Sequence, residues 1–94
     1  MFQSPRYLTR GVSLSIPPEL VLLLWYLIEA MPEPKDYLQV FELSGKSGKQ
    51  KIVHRQEQPP YEQVHLLDWA EPVTAKLFVI DDGDHSTMLL ASEY

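Results

Sequence analysis

The sequence predicts an α+β fold: one buried helix, at about residues 17–31, packed against a curled, mainly antiparallel sheet of five to six strands. Three observations predict it. Nine apolar residues run without a break from Leu20 to Ile28. The rest of the chain divides into short aromatic and β-branched segments separated by Gly, Pro and Asp turns. The connections between these segments are short, which favours antiparallel neighbours. A chain of 94 residues is expected to form one domain, residues 1–94.

Tyr7 to Val12 reads as a first strand that ends near Gly11. Ile16-Pro17-Pro18-Glu19-Leu20 then opens the helix. Proline suits a first turn because its missing N–H would be unbonded there, and Glu19 complements the positive helix start. Pro32 and Pro34 stop the helix near Met31. Leu20, Leu24, Leu27, Ile28 and Met31 form one stripe, which Val21, Leu23 and Trp25 widen. Leu22 and Tyr26 fall on the far side, yet they too are apolar or amphipathic. A helix apolar all round is expected to be wrapped on every side, by a curled sheet or by a second subunit.

Five more strands follow. Tyr37–Leu43 is the first, and Gln50–Glu57 succeeds it after the Ser44–Lys49 loop. Pro59-Pro60 separates that strand from Tyr61–Leu67. Ala75–Ile80 is near-continuously apolar, and Ser86–Ala91 returns from a turn signalled by Asp82-Gly83. The Gly-Lys-Ser within the 44–49 loop lacks phosphate-loop spacing, and no helix follows it.

Composition excludes several classes. Without cysteine, disulfides, thiolate catalysis and Cys-ligated metals are ruled out. The Leu20–Ile28 run is shorter than the ~20 residues needed to span a bilayer, and no secretory signal opens the chain. Residues 1–55 carry seven Lys/Arg and five Asp/Glu, whereas residues 56–94 carry one Lys and eight Asp/Glu. That balance argues against nucleic-acid binding, which draws its affinity from cations on phosphate. Lys46, Lys49, Lys51 and Arg55 form the one basic segment.

Few constellations suggest chemistry. Asp81, Asp82 and Asp84 surround a tight turn and are the weak candidates for a hard cation, but Asp and Gly are also simply good turn formers. A two-residue turn would set Asp81 against Asp84, and one residue more would set it against His85. If the Pro59-Pro60 bend is centred between the prolines, His54 meets His65 across the ladder. No third ligand has metal-site spacing, so no metal and no cofactor are expected. His54-Arg55-Gln56-Glu57-Gln58 is polar on both faces, as an edge strand or a groove wall would be. Arg55 and Glu57 then share one face, and His54 and Gln56 the other. His54, Arg55, Gln56, Glu57 and His65 are the candidate ligand or partner surface. No catalytic residue is assigned. His85 and Ser86 point to opposite faces of a strand, so they cannot cooperate as base and nucleophile.

Several stretches carry a resemblance. They include Tyr7-Leu8-Thr9-Arg10-Gly11, Ile16-Pro17-Pro18-Glu19-Leu20 with Leu24-Trp25, and Tyr37-Leu38-Gln39-Val40-Phe41-Glu42-Leu43. His54-Arg55-Gln56-Glu57-Gln58-Pro59, Phe78-Val79-Ile80-Asp81-Asp82-Gly83 and Leu89-Leu90-Ala91-Ser92-Glu93-Tyr94 complete the set. Over nearly its whole length the chain resembles a family of small single-domain proteins of unknown function from low-GC Gram-positive bacteria. The resemblance implies a bacterial cytoplasmic protein and a complete chain, and it gives no residue a role.

The first functional reading is a non-catalytic protein-interaction or regulatory module that forms a homodimer or meets an unidentified protein partner, away from membranes and nucleic acids. The alternative is a small ligand-binding domain or enzyme, with a pocket between helix and sheet built from His54, Arg55, Glu57 and His65.

Overall fold

Helix α2 (Pro18–Ala30) lies on one face of a six-stranded sheet, and the match between its buried stripe and the inward strand residues defines the core. The computed structural model describes residues 1–94. In chain order the elements are β1 (Arg6–Leu8), α1 (Arg10–Ser15), α2, β2 (Leu38–Lys46), β3 (Lys49–Gln56), β4 (Tyr61–Asp68), β5 (Ala75–Asp81) and β6 (Ser86–Leu90). A single 3-10 turn, Ala91–Glu93, follows. The sheet order is β1-β6-β5-β2-β3-β4. Only β1 pairs in parallel, with β6; every other pair is antiparallel. The fold is α+β, and the sheet does not close. No helix is long and apolar enough to cross a membrane.

Period-two alternation sorts the strands cleanly. Gln39, Phe41 and Leu43 of β2, Ile52 and His54 of β3, Leu77 and Val79 of β5 and Met88 of β6 point inward and are buried. Leu20, Val21, Leu24, Trp25 and Ile28 of α2 meet them. Their i, i+1, i+4 spacing is that of a helix pressed on a sheet along one side.

Three expectations are corrected. The sheet does not wrap the helix: Leu22 is 69% exposed and Tyr26 60%. A helix is about 10 Å wide, so it fills the middle of a sheet roughly 24 Å across and cannot curl that sheet around itself. The segment Tyr7–Val12 is not one strand. Strand β1 ends at Leu8, and Thr9 caps α1, its Oγ1 accepting from the Val12 N–H. Capping chemistry at threonine outweighs the β-propensity of its neighbours, and it turns Val12 into the core. The last hairpin turns later than expected. Asp81 pairs with Ser86, and the Asp82 N–H donates to the His85 carbonyl at 3.0 Å. Asp81 therefore faces neither Asp84 nor His85.

The chain end braces α1. The Glu93 carboxylate accepts from Thr9 Oγ1 at 2.6 Å, the Leu90 N–H at 2.8 Å and the Gly11 N–H at 3.2 Å. These bonds, led by that from Thr9, hold the Glu93 carboxyl below the usual range. A Cβ on Gly11 would lie 2.6 Å from Glu93 Oε2 and 2.8 Å from Leu90 Cδ1. Gly11→Ala is therefore expected to destabilise the protein by about 1–3 kcal/mol in urea unfolding. The loss should be smaller when Gly11→Ala is made in a Glu93→Ala background, because one of the two obstructing side chains is then gone.

Candidate functional site

The five residues of the predicted surface divide between the two faces of the sheet. Strand β3 sends Gln50, Ile52, His54 and Gln56 inward and Lys51, Val53 and Arg55 outward. Arg55 bridges Glu42 of β2 at 2.8 Å on the open face. Glu57 lies beside it at the rim of a cleft of about 310 Å³ with Leu38, Val40, Lys76 and Phe78. His54 and His65 lie on the helix side. The four polar groups proposed for an enclosed pocket therefore do not converge, since the thickness of the sheet separates Arg55 and Glu57 from the two imidazoles.

The register also differs from the one expected around Pro59-Pro60. His54 opposes Gln63, and His65 opposes Ile52. The histidines share a face but sit diagonally. Nor is β3 an edge strand; it lies between β2 and β4. An internal strand tolerates its polar end because the polar side chains bond to one another. Gln39 is the hub. Its Nε2 donates to Gln56 Oε1 at 2.7 Å and to the Asp36 carbonyl at 2.9 Å, and its Oε1 faces His54 Nε2 at 2.7 Å. Gln56 Nε2 donates onward to the carbonyls of Pro59 and Pro34, and Gln56 Oε1 also accepts the Asp36 N–H. Since the Gln39 oxygen can only accept, His54 carries its proton on Nε2. That leaves His54 Nδ1 buried and unpaired, as is His65 Nε2.

The His54 ring stacks on Phe41 at 4.4 Å and meets Tyr61 edge-on at 5.3 Å. Burial, reinforced by the neighbouring His65, lowers its pKa from 6.5 to about 4. The imidazole is thus kept neutral, fully buried against Phe41.

Gln50 performs a second structural task. It accepts the Val73 N–H at 2.7 Å and donates to the carbonyls of Val73 and Ser44, tying the 69–74 segment to the sheet. Gln39 and Gln50 were both missed as site-forming residues. Glutamine at inward positions among Phe41, Leu43 and Ile52 was the available signal, because an amide there must be hydrogen-bonded.

The acidic turn satisfies itself. Asp81 Oδ2 accepts the Phe2 N–H at 2.6 Å and Asp81 Oδ1 the Gly83 N–H at 2.9 Å. Asp82 Oδ1 accepts the N–H groups of Asp84 and His85, and Asp82 Oδ2 meets His85 Nε2 at 3.1 Å. The bond from the His85 backbone is the main reason the Asp82 carboxyl titrates low. Asp81, Asp82 and Asp84 do not converge on a common point, and no group of three or more acidic or histidine side chains is arranged to hold a metal ion. Two of the four cations of the basic segment are paired as well, Lys49 with Asp68 and Arg55 with Glu42.

What the molecule does present is apolar surface. On the helix side a groove of about 260 Å³ is lined by Leu8, Ile16, Pro18, Val21 and Leu22, with Ser13 its one hydroxyl. Tyr26 continues this surface one turn along α2, and Leu14 of α1 is 74% exposed.

A family model described as "Staphylococcal protein of unknown function (DUF960)" matches residues 5–93. A crystal structure of a protein of unknown function from Enterococcus faecalis superposes with a TM-score of 0.85 at 28% identity. The match covers 97% of this chain and 91% of the other. No curated protein matches.

The lowered His54 pKa makes a signed prediction. The unfolded chain binds a proton at this site below pH 6.5, and the folded chain only below about 4. The His54 contribution is complete above pH 6.5 and is lost as pH falls towards 4, up to about 3 kcal/mol. Urea midpoints of wild type should drop across this window more steeply than those of His54→Leu. Parallel curves would show that His54 does not titrate in this way.

Proposed function

We propose that this chain, which belongs to the DUF960 family of staphylococcal proteins of unknown function, is a non-catalytic interaction module that works as a homodimer in the cytoplasm. One observation carries the reading: the far side of α2 is apolar and wet. Leu22, Tyr26, Leu14 and Leu8, the last 41% exposed, together offer on the order of 400 Å² of apolar surface, within the range of the largest patches on monomers, which are often functional. The groove beside Leu22 gives this surface the relief that a protruding side chain needs.

A second copy suits it. Helix α2 carries no cation and has a carboxylate near each end, Glu19 and Glu29. Antiparallel packing of two α2 helices centred on Leu24 lays Leu22 on the other chain's Tyr26. The same packing sets Glu19 of one chain beside the Arg6–Glu29 ion pair of the other, which is 2.6 Å long. Arg6 is already held over the Trp25 ring, 4.8 Å from its centroid, so it can serve both carboxylates with little further ordering.

The lack of cysteine accords with a reducing cytoplasm. The absence of convergence among His54, Arg55, Glu57 and His65 favours this reading over a ligand-binding domain or enzyme.

Light scattering over micromolar dilutions should show a concentration-dependent dimer. Leu22→Glu and Tyr26→Glu should each weaken it by at least about tenfold while leaving the circular dichroism spectrum unchanged, since both side chains are exposed. A species that stays monomeric at the highest concentration would refute the proposal.

A further inference from the structure

The open face of the sheet, opposite α2, carries most of the chain's cations. Outward positions hold Lys46 on β2, Lys49, Lys51 and Arg55 on β3 and Lys76 on β5, five of the eight Lys and Arg residues. Carboxylates share this face, and their pairing decides which charges are left over. Asp68 is taken by Lys49. Glu42 opposes Lys76 across the ladder, but its carboxylate meets Arg55 at 2.8 Å. Glu62 also opposes Arg55, and Glu57 lies beside Arg55. Glu71, on the 69–74 segment, pairs with no lysine. Lys46, Lys51 and Lys76 are left without an ion-pair partner.

Two of these three lysines converge. Lys51 and Lys76 line one cleft of about 480 Å³ with Ser44, Thr74, Val53 and Glu42. Its polar side chains are two ammonium groups, two hydroxyls and a carboxylate already paired with Arg55. Such a cleft is rich in donors and short of an acceptor, and a carboxylate answers that need. Lys51 is half-buried, so salt screens its charge less than that of a fully exposed lysine. The cleft runs on into apolar surface. Lys51 opposes Leu66 and Val53 opposes Val64, and these partners are 56% and 51% exposed. Two strand spacings, roughly 10 Å, separate Ser44 from Leu66.

We infer that the open face binds an acidic segment of a protein partner, with a carboxylate in the Lys51–Lys76 cleft and an apolar side chain against Val64 and Leu66. Charge complementarity selects this occupant. A second copy laid cleft to cleft would set lysine against lysine, which is repulsive. A small anion would fill the cleft and leave Val64 and Leu66 wet, whereas a polypeptide segment covers both. The inference rests on the reading of this protein as an interaction module, but it uses the face turned away from the helix-mediated dimer.

The test uses the full chain and a nine-residue peptide with glutamate at positions one, three and five, leucine at seven and nine, and serine between. Titration followed by amide NMR should give saturable shifts at Ser44, Lys51, Val53, Val64, Leu66 and Lys76, and added salt should weaken binding. Lys51→Gln and Lys76→Gln should each weaken it about two- to fivefold, and Leu66→Ser should weaken it as well. Arg10→Gln removes the same charge from an exposed site on α1 and should leave binding unchanged. The inference is overturned by an absence of shifts at millimolar peptide, by shifts confined to other surfaces, or by equal binding of a peptide with glutamine for glutamate. A loss in Arg10→Gln equal to that in Lys51→Gln would also overturn it, because net charge alone would then be at work. Acetate binding at the same amides with the same affinity would do so too, since the cleft would then serve a small anion. Shifts at these amides that grow with protein concentration, without peptide, would show a second copy on this face and exclude the proposed occupant. Light scattering on the same samples separates the two proposals: a dimer without peptide binding removes only the open-face site, and peptide binding to a monomer removes only the helix-mediated dimer.

Discussion

Everything in this molecule follows from the seating of one apolar helix on one face of a sheet wider than itself. Leu20, Leu24 and Ile28 are fully buried against Phe41, Ile52, Leu77 and Val79. Truncating any of them would open a cavity at a cost of about 2–5 kcal/mol. A cylinder on a plane touches along a line, however. The side chains beside the contact, Leu23 and Leu27, are half-buried, and those opposite it are exposed. The outer strand β4 adds only Leu67 to the margin of the core. The back of α2 stays exposed for this reason, whereas Val64 and Leu66 are exposed because they lie on the sheet face that carries no helix.

The same geometry explains the buried amides. Where α2 ends near Ala30, the sheet continues, and apolar cover runs out over the ends of β2 and β3. Gln39, His54 and Gln56 lie in that zone, bonded to each other and to the carbonyls of Pro34, Asp36 and Pro59. The 34–38 connection is thereby fixed to the sheet by side chains. A network of this kind contributes little net stability per bond, yet each member is costly to orphan. It therefore favours one register over its neighbours. Shifting β3 by one residue would send Arg55 inward and leave Gln39 without a partner.

Local structure was legible where a signal was local. The Pro17-Pro18-Glu19 start and the Pro32 stop placed α2 within one residue at each end, and the Ser44–Lys49 tract marked the β2–β3 hairpin, although the turn itself is only Ser47-Gly48, both at positive φ, with the strands running on to Lys46 and from Lys49. Alternation correctly placed Arg55 opposite His54. What required long-range knowledge was not legible. Thr9 could equally have continued a strand, and nothing nearby announced that Glu93, 84 positions away, would hold it. The registers around Pro59-Pro60 and Asp82-Gly83 depended on loop length, which turn residues alone do not fix. Hydrophobicity alone implies a wrapped α2, but six strands about 24 Å across are too few to surround a helix about 10 Å wide. Among the candidate site residues, His54 and Gln56 looked functional because they were polar in a strand. The structure gives them a structural role, hydrogen-bonded through Gln39.

This outcome sharpens how polar and apolar residues are weighed in a small protein. The Asp81–His85 turn is mostly satisfied within the chain, whereas His54 and His65 each keep one buried ring nitrogen unpaired. The apolar residues at Leu22, Tyr26, Val64 and Leu66 are each more than half exposed. A chain of this size has few positions to give up, and exposing four large side chains in two places forgoes burial worth about 1.5–3 kcal/mol each. Exposed apolar surface that stability does not require is better explained by recognition than by neglect. In this molecule the surface chemistry that distinguishes it is hydrophobic and backbone-borne.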